Sequence, residues 1–253
     1  MFRHLLLFLA AALTLSAARP VATSTNLPPA AGPAAPRSDT LTAGVFPPRA
    51  TVLKGATRDL ASLDIRLINL PAGKSFRLAN DSADHLIIIK DGNILLSTKP
   101  LGPGGVGLFA ATDKPVIHNT AKTLASFYLF AFKSRSGPKT TETTPFLANW
   151  PDLVMKLTPK GESRAIFSQP TTWLKNINMH ATTLNPGEIS HPQHMHRAEE
   201  ILLIRSGNVR MHIGNGYIPA KGGDLVFLPS GVPHDLENGN TGRTEYFALQ
   251  WEQ

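Results

Sequence analysis

From Val45 onward the chain is a series of short runs of β-branched and large apolar residues, each closed by Gly, Pro, Asn or Asp. Ile65 to Leu70, His85 to Ile89, Ile94 to Ser97 and Ser126 to Phe132 have the length and composition of strands. Ile201 to Ile204 and Leu225 to Leu228 repeat that rhythm in the second half, so the pattern predicts an all-β protein. The break lies in the middle. Lys133 to Thr144 is polar and reads as a linker, and Thr144-Pro145 can start a short helix through Phe146, Leu147, Trp150, Leu153, Val154 and Leu157, with Trp150 in the core. Pro151 limits its length.

The strand pattern is duplicated. His85-Leu86-Ile87-Ile88-Ile89-Lys90-Asp91-Gly92-Asn93-Ile94 matches Glu200-Ile201-Leu202-Leu203-Ile204-Arg205-Ser206-Gly207-Asn208-Val209 at an offset of 115. Leu70-Pro71-Ala72-Gly73 likewise matches Leu184-Asn185-Pro186-Gly187, and Gly105 to Pro115 lies on Gly223 to Pro233. The chain therefore holds two copies of one unit.

The copies differ in their chemistry. The second carries His194, His196, Glu200 and His234, with three residues between His196 and Glu200 and two Gly-containing turns around them. Residues two apart on a strand share a face, so His194 and His196 are expected to project together, with Glu200 entering after a turn. Neighbouring Glu199 is expected to face solvent. Three imidazoles and one carboxylate form a mixed donor set suited to Mn, Fe, Ni, Cu or Zn. In the first copy the four positions fall on Ala79, Asp81, His85 and Val116. Asp81, His85 and His118 form an alternative, unorthodox set there. The first copy is otherwise expected to serve packing, dimerisation or the shaping of the second pocket.

The two motifs, from Gly187 through Glu200 to Gly207 and from Gly223 through Pro229 and His234 to Asn238, resemble the signature of the cupin superfamily. The resemblance implies two tandem cupin-type (double-stranded β-helix, or jelly-roll) barrels joined by a short helical linker, with the metal motif intact only in the C-terminal one. One spacing departs from the family pattern: six residues separate Gly187 from His194 where five are usual. A bulge at Pro186-Gly187 and Pro192 would absorb the extra residue, and His191 is the competing ligand. His194 is preferred because it alone keeps the alternation with His196.

Composition narrows the setting. Apolar residues make up 42% of the 253 positions, which excludes wholesale disorder. Met1 to Ala18 has Arg3 and His4 ahead of an apolar run ending in small residues, the pattern of a secretory signal peptide cleaved near Ala18 or Ala22. The run is shorter than the roughly 20 residues a spanning helix needs, so no stable membrane anchor is expected. Residues 23 to 45 read as a disordered leader rich in Pro and Ala. The expected domains are a signal peptide at 1–22, that leader, a degenerate barrel at 46–133, a linker at 134–165 and a metal-binding barrel at 166–253. Cysteine is absent, so export to the periplasm or medium would bring no disulfides. The net charge of +7 is scattered, which argues against nucleic acid as a partner.

These features point to an exported protein holding one divalent transition metal and acting on a small-molecule substrate, with homodimer formation left open. The resemblance implies a metal-dependent enzyme for a small oxygenated organic compound, with dioxygenase-type chemistry ahead of lyase or isomerase chemistry. Catalytic residues beyond the ligands stay unassigned. His180, His212, Arg210, Tyr217, Tyr246 and Gln250 are candidate pocket residues, and Met179, Met211, Phe227 and Phe247 candidate core. The alternatives are a bicupin similar to ureidoglycine aminohydrolases and a non-enzymatic periplasmic module that binds a metal or ligand.

Overall fold

The computed structural model describes residues 40–140 and 143–253; the expected signal peptide and most of the expected leader lie outside the described residues. The strands of the first half are β1 (Gly44–Phe46), β2 (Thr51–Gly55), β3 (Leu60–Leu70), β4 (Ser75–Arg77), β5 (Asp84–Asp91), β6 (Ile94–Leu96), β7 (Lys99–Leu101), β8 (Val106–Phe109), β9 (Val116–His118) and β10 (Ala125–Ser134). Those of the second half are β11 (Phe146–Ala148), β12 (Met155–Thr158), β13 (Gly161–Gln169), β14 (Asn176–Leu184), β15 (Glu199–Ser206), β16 (Asn208–Ile213), β17 (Gly216–Lys221), β18 (Leu225–Leu228), β19 (His234–Glu237) and β20 (Thr244–Glu252).

They form two β-barrels. The N-terminal one joins the sheet β11-β8-β5-β10-β3-β2 to the smaller β4-β9-β6-β7, and the C-terminal one joins β1-β18-β15-β20-β14-β13-β12 to β17-β16-β19. Both faces of β5 and β15, inside the two large sheets, are buried. On β5, Leu86 and Ile88 enter the core between the barrels while Ile87 and Ile89 fill the N-terminal barrel. On β15, Ile201 and Leu203 pack between the barrels while Leu202 and Ile204 point into the C-terminal one. Two-sided burial is why these strands read as unbroken apolar runs rather than alternating ones. Met179, Met211, Phe227 and Phe247 are buried as expected.

Two expectations about the connections are corrected. The predicted helix reduces to one 3-10 turn, Trp150–Asp152, between two strands. The amides of Phe146–Ala148 are taken by the ladder with β8 and those of Met155–Thr158 by β13, which leaves no run long enough for a helix. Val154 and Leu157, assigned to its apolar face, are 73% and 79% exposed. The ordered chain also begins earlier than residue 46. Gly44–Phe46 pairs with Phe227, Val226 and Leu225 of β18, so a strand preceding the N-terminal barrel completes the sheet of the C-terminal one. In turn β11, from the expected linker, completes the N-terminal sheet.

The barrels also grip each other through matching loops. Thr57 closes a turn on Leu60, and Thr171 closes the same turn on Leu174. The first turn presents its backbone amides to Glu199, and the second presents Trp173 N–H to Asp84. Asp84 and Glu199 are 115 positions apart, the offset of the sequence repeat, so the contact has the reciprocal form of a two-fold interface built inside one chain.

Candidate metal centre

The C-terminal barrel opens on a cavity of about 270 Å³. Strand alternation places its walls: His180 and Thr182 of β14, Glu200 and Leu202 of β15, and Tyr246, Ala248 and Gln250 of β20 all face inward. The loop before β15 adds Ser190, His191 and His194, and β19 adds His234 and Asp235.

His194, His196 and His234 come together there, with ligand atoms all within 4.8 Å of one another. His194 and His196 do not lie on a strand, contrary to expectation. They sit in an irregular segment in which an isolated bridge pairs His194 with His234 through N–H···O bonds of 3.1 and 2.9 Å. Pro192 limits pairing upstream, and the His196 carbonyl accepts from Gly231 N–H, so the ladder stops after one rung. The bridge nonetheless fixes one candidate ligand against another across the barrel. Gly187 adopts φ +77 and its N–H donates to Asn238 O, and the irregular stretch after it takes up the extra residue before His194. His191 stays outside the converging group, its ring 4.0 Å from that of His194.

Glu200 completes the set. Its Oε2 lies 3.3 Å from His196 Nε2 and 3.2 Å from His234 Nε2. Neither ring nitrogen is aligned to donate to it, so both are buried without a hydrogen-bond partner. The opposite ring atoms are fixed: His196 Nδ1 donates to Ala198 O at 2.9 Å and His234 Nδ1 to Val232 O at 2.8 Å. That pattern holds the Nδ1–H tautomer and aims two unpartnered Nε2 lone pairs at one point, as a metal site requires. Burial pushes the Glu200 carboxyl up, but the close approach of His196 and His234 and a bond from Gln250 outweigh it and hold it at about 2. His196 is raised chiefly by Glu200, whereas burial and repulsion from His191 and His234 lower His194. The donor set fits one divalent transition ion, which would be held by His194, His196, Glu200 and His234.

The N-terminal barrel does not reproduce the site. Among the described residues, the three histidines above are the only such cluster. His85 Nε2 lies 3.5 Å from Asp81 Oδ1, but His118 bonds instead to Ser75. The structural counterpart of His234 is Pro115, not Val116, because Asn119 and Asn238 anchor their barrels identically through Leu70 O with Thr123 O and Leu184 O with Gly242 O. Phe109, Phe127 and Leu129 fill the interior that the other barrel leaves open.

The surroundings hold one error and several omissions of the sequence reading. Glu199, expected in solvent, is 1% exposed and accepts from Thr57 Oγ1, Arg58 N, Asp59 N and Trp251 Nε1. Ser190, Thr182 and Asp235 were not singled out. Asp235 pairs with His212 at 3.0 Å, and Tyr246, pushed up to about 12 mainly by burial, contacts Thr182 and Ser190. The inward parity of Thr182 with His180 is the signal that could have found it. Arg210 and Tyr217 lie outside the cavity, the guanidinium 5.1 Å above the Tyr217 ring.

The Cupin domain family model matches residues 180–249. No curated protein sequence matches the chain. Among solved structures, AerE from Microcystis aeruginosa aligns with TM-score 0.60 at 12% identity, over 82% of this chain and 99% of its own. A putative glyoxylate-induced protein from Pseudomonas aeruginosa aligns with TM-score 0.62 at 13% identity, over 85% and 90%. The Lactobacillus farciminis oxalate decarboxylase formate complex gives 0.60 at 12%, over 85% of each chain. At these identities the likeness bears on the fold. Residues 180–249 thus resemble a cupin domain, and the fold of the chain as a whole is similar to that of these solved structures.

Proposed function

We propose that the chain is an exported, metal-dependent enzyme acting on a small oxygenated organic compound, with dioxygenase-type chemistry as its leading form. The observation that carries the metal-dependent part is the pair of buried, unpartnered Nε2 atoms of His196 and His234 aimed at the same point as Glu200, on the wall of an open cavity. The bound ion would supply Lewis acidity and, with a redox-active metal, electron transfer to oxygen. On a metal that accepts six ligands, four from the protein would leave two positions for exogenous ones, which favours catalysis over a closed structural site.

The rest of the cavity supports a small polar substrate. Its volume of about 270 Å³ lies just under the range of about 300 to 1,000 Å³ typical of small-molecule sites. It contains the Glu200 and Asp235 carboxylates, and among the described lining residues none is Lys or Arg, so hydroxyl and carbonyl groups suit it better than a second anionic group. Burial lowers His180, partly countered by Glu200, so it presents a neutral imidazole able to accept a substrate proton. Tyr246 stays protonated and can donate a hydrogen bond. Export rests on the sequence of residues 1–22 alone.

The test is oxygen uptake and product detection by mass spectrometry, with protein loaded in turn with Mn, Fe, Ni, Cu and Zn and offered small hydroxyketones, phenols and carboxylates. Turnover with one metal, lost in His234→Ala, is expected. Metal-loaded protein that binds such compounds without converting them would replace this reading with a ligand-binding one.

A further inference from the structure

The segment His196 to Glu200 supplies two of the four ligands, and the residues between them are held by the other barrel. Arg197 Nη1 and Nη2 donate to Asp59 Oδ2 and Oδ1, both at 2.8 Å. Glu199 accepts the amides of Arg58 and Asp59 and the Thr57 hydroxyl. The same loop reaches the second ligand segment, since Arg58 Nη1 donates to Ser230 Oγ at 3.3 Å, and neighbouring Gly231 bonds to His196 O. One turn of the N-terminal barrel thus touches both sides of the metal centre in the C-terminal one.

The pseudo-two-fold provides an internal comparison. The counterpart of Asp59 is Trp173 and that of Arg197 is Ser82, and these also meet, Trp173 Nε1 donating to Ser82 O at 2.8 Å. The contact therefore exists on both sides, but the bidentate ion pair exists only on the side that carries ligands. Asp59 is 2% exposed, and a planar guanidinium held by two parallel bonds fixes direction as well as distance. We propose that Asp59, through Arg197, is a positioning residue for the metal centre, so that the barrel lacking ligands sets the ligand geometry of the other. This rests on the metal site described above.

Asp59→Asn keeps the shape of the side chain and removes the charge that orients Arg197. Calorimetric titration with Co(II) is expected to show about tenfold weaker binding, the scale on which groups supporting metal ligands act. The visible spectrum of the Co(II) protein should change with it. Trp173→Phe, on the side without ligands, should leave both affinity and spectrum at wild-type values. Should Asp59→Asn fail to fold, Arg197→Gln removes the same pair from its half-exposed end and is read identically. Wild-type affinity and spectrum in the Asp59→Asn or Arg197→Gln protein would overturn the proposal, as would an equal loss in Trp173→Phe. Absence of Co(II) binding by the wild type would instead refute the metal site itself.

Discussion

Replacing Glu199 by Leu should destabilise the protein by about 4 kcal/mol. Its carboxylate accepts from Thr57 Oγ1 at 2.5 Å, Asp59 N at 3.1 Å and Trp251 Nε1 at 3.1 Å in buried surroundings, and from Arg58 N at 3.0 Å nearer solvent. A buried donor stripped of its acceptor costs about 1 to 3 kcal/mol, so three of them set a range of about 3 to 9. The amide of Arg58 can turn to water, and loss of the carboxylate returns part of its own desolvation cost. The lower half of the range therefore applies, in line with the roughly 3 to 5 kcal/mol found when one partner leaves a buried charged network. Glu199→Gln keeps an acceptor oxygen and should cost about 2 kcal/mol. Urea unfolding of metal-free protein at constant pH measures both values. A loss below about 1 kcal/mol for Glu199→Leu would return Glu199 to the solvated role that its sequence position suggests.

Other perturbations separate the two barrels. The Asp84 carboxyl is raised above its ordinary 3.8, burial outweighing bonds from Thr171, Thr172, Trp173 and Ala111. A carboxyl whose folded value is raised favours the folded state when protonated, and that contribution fades as pH rises through the folded value. The stability of wild type relative to Asp84→Asn should therefore decline as pH rises through the interval above the ordinary 3.8, measured by urea midpoints at each pH. A gap that widens over that interval would contradict the burial argument. Tyr128→Phe deletes the buried bond from Tyr128 Oη to Gly223 O across the barrels and should cost about 1 kcal/mol, with no change in metal affinity. Asp81→Ala with His85→Ala should leave metal stoichiometry intact, and a loss would relocate the site to the N-terminal barrel. N-terminal sequencing of exported protein should begin near residue 19 to 23, and an intact Met1 would refute cleavage.

The barrels were legible because two-sided burial left continuous runs such as Ile201 to Ile204, and duplication exposed their common frame. The convergence of His194, His196 and His234 beside Glu200 was legible because their spacing, but for one extra residue before His194, follows a two-part motif. Glu199 was not. Parity alone put it opposite Glu200, but the opposite face of β15 is the interface between barrels, not solvent, and no local pattern records that a second barrel lies there. The helix expected near Trp150 failed for a related reason. Its apolar spacing suited a helix, yet the free edges of β8 and β13 captured its backbone. The strand exchange through Gly44–Phe46 escaped notice because three residues carry too short a pattern to stand out from a Pro-rich leader.

The central claim is that His194, His196, Glu200 and His234 hold one metal ion. Titration of metal-free protein with a divalent transition ion, read by calorimetry and by elemental analysis after desalting, tests it directly. The account predicts one ion per chain for wild type and none retained after His194→Ala with His234→Ala. Wild-type protein that retains no ion, or a double variant that still retains one, would contradict it.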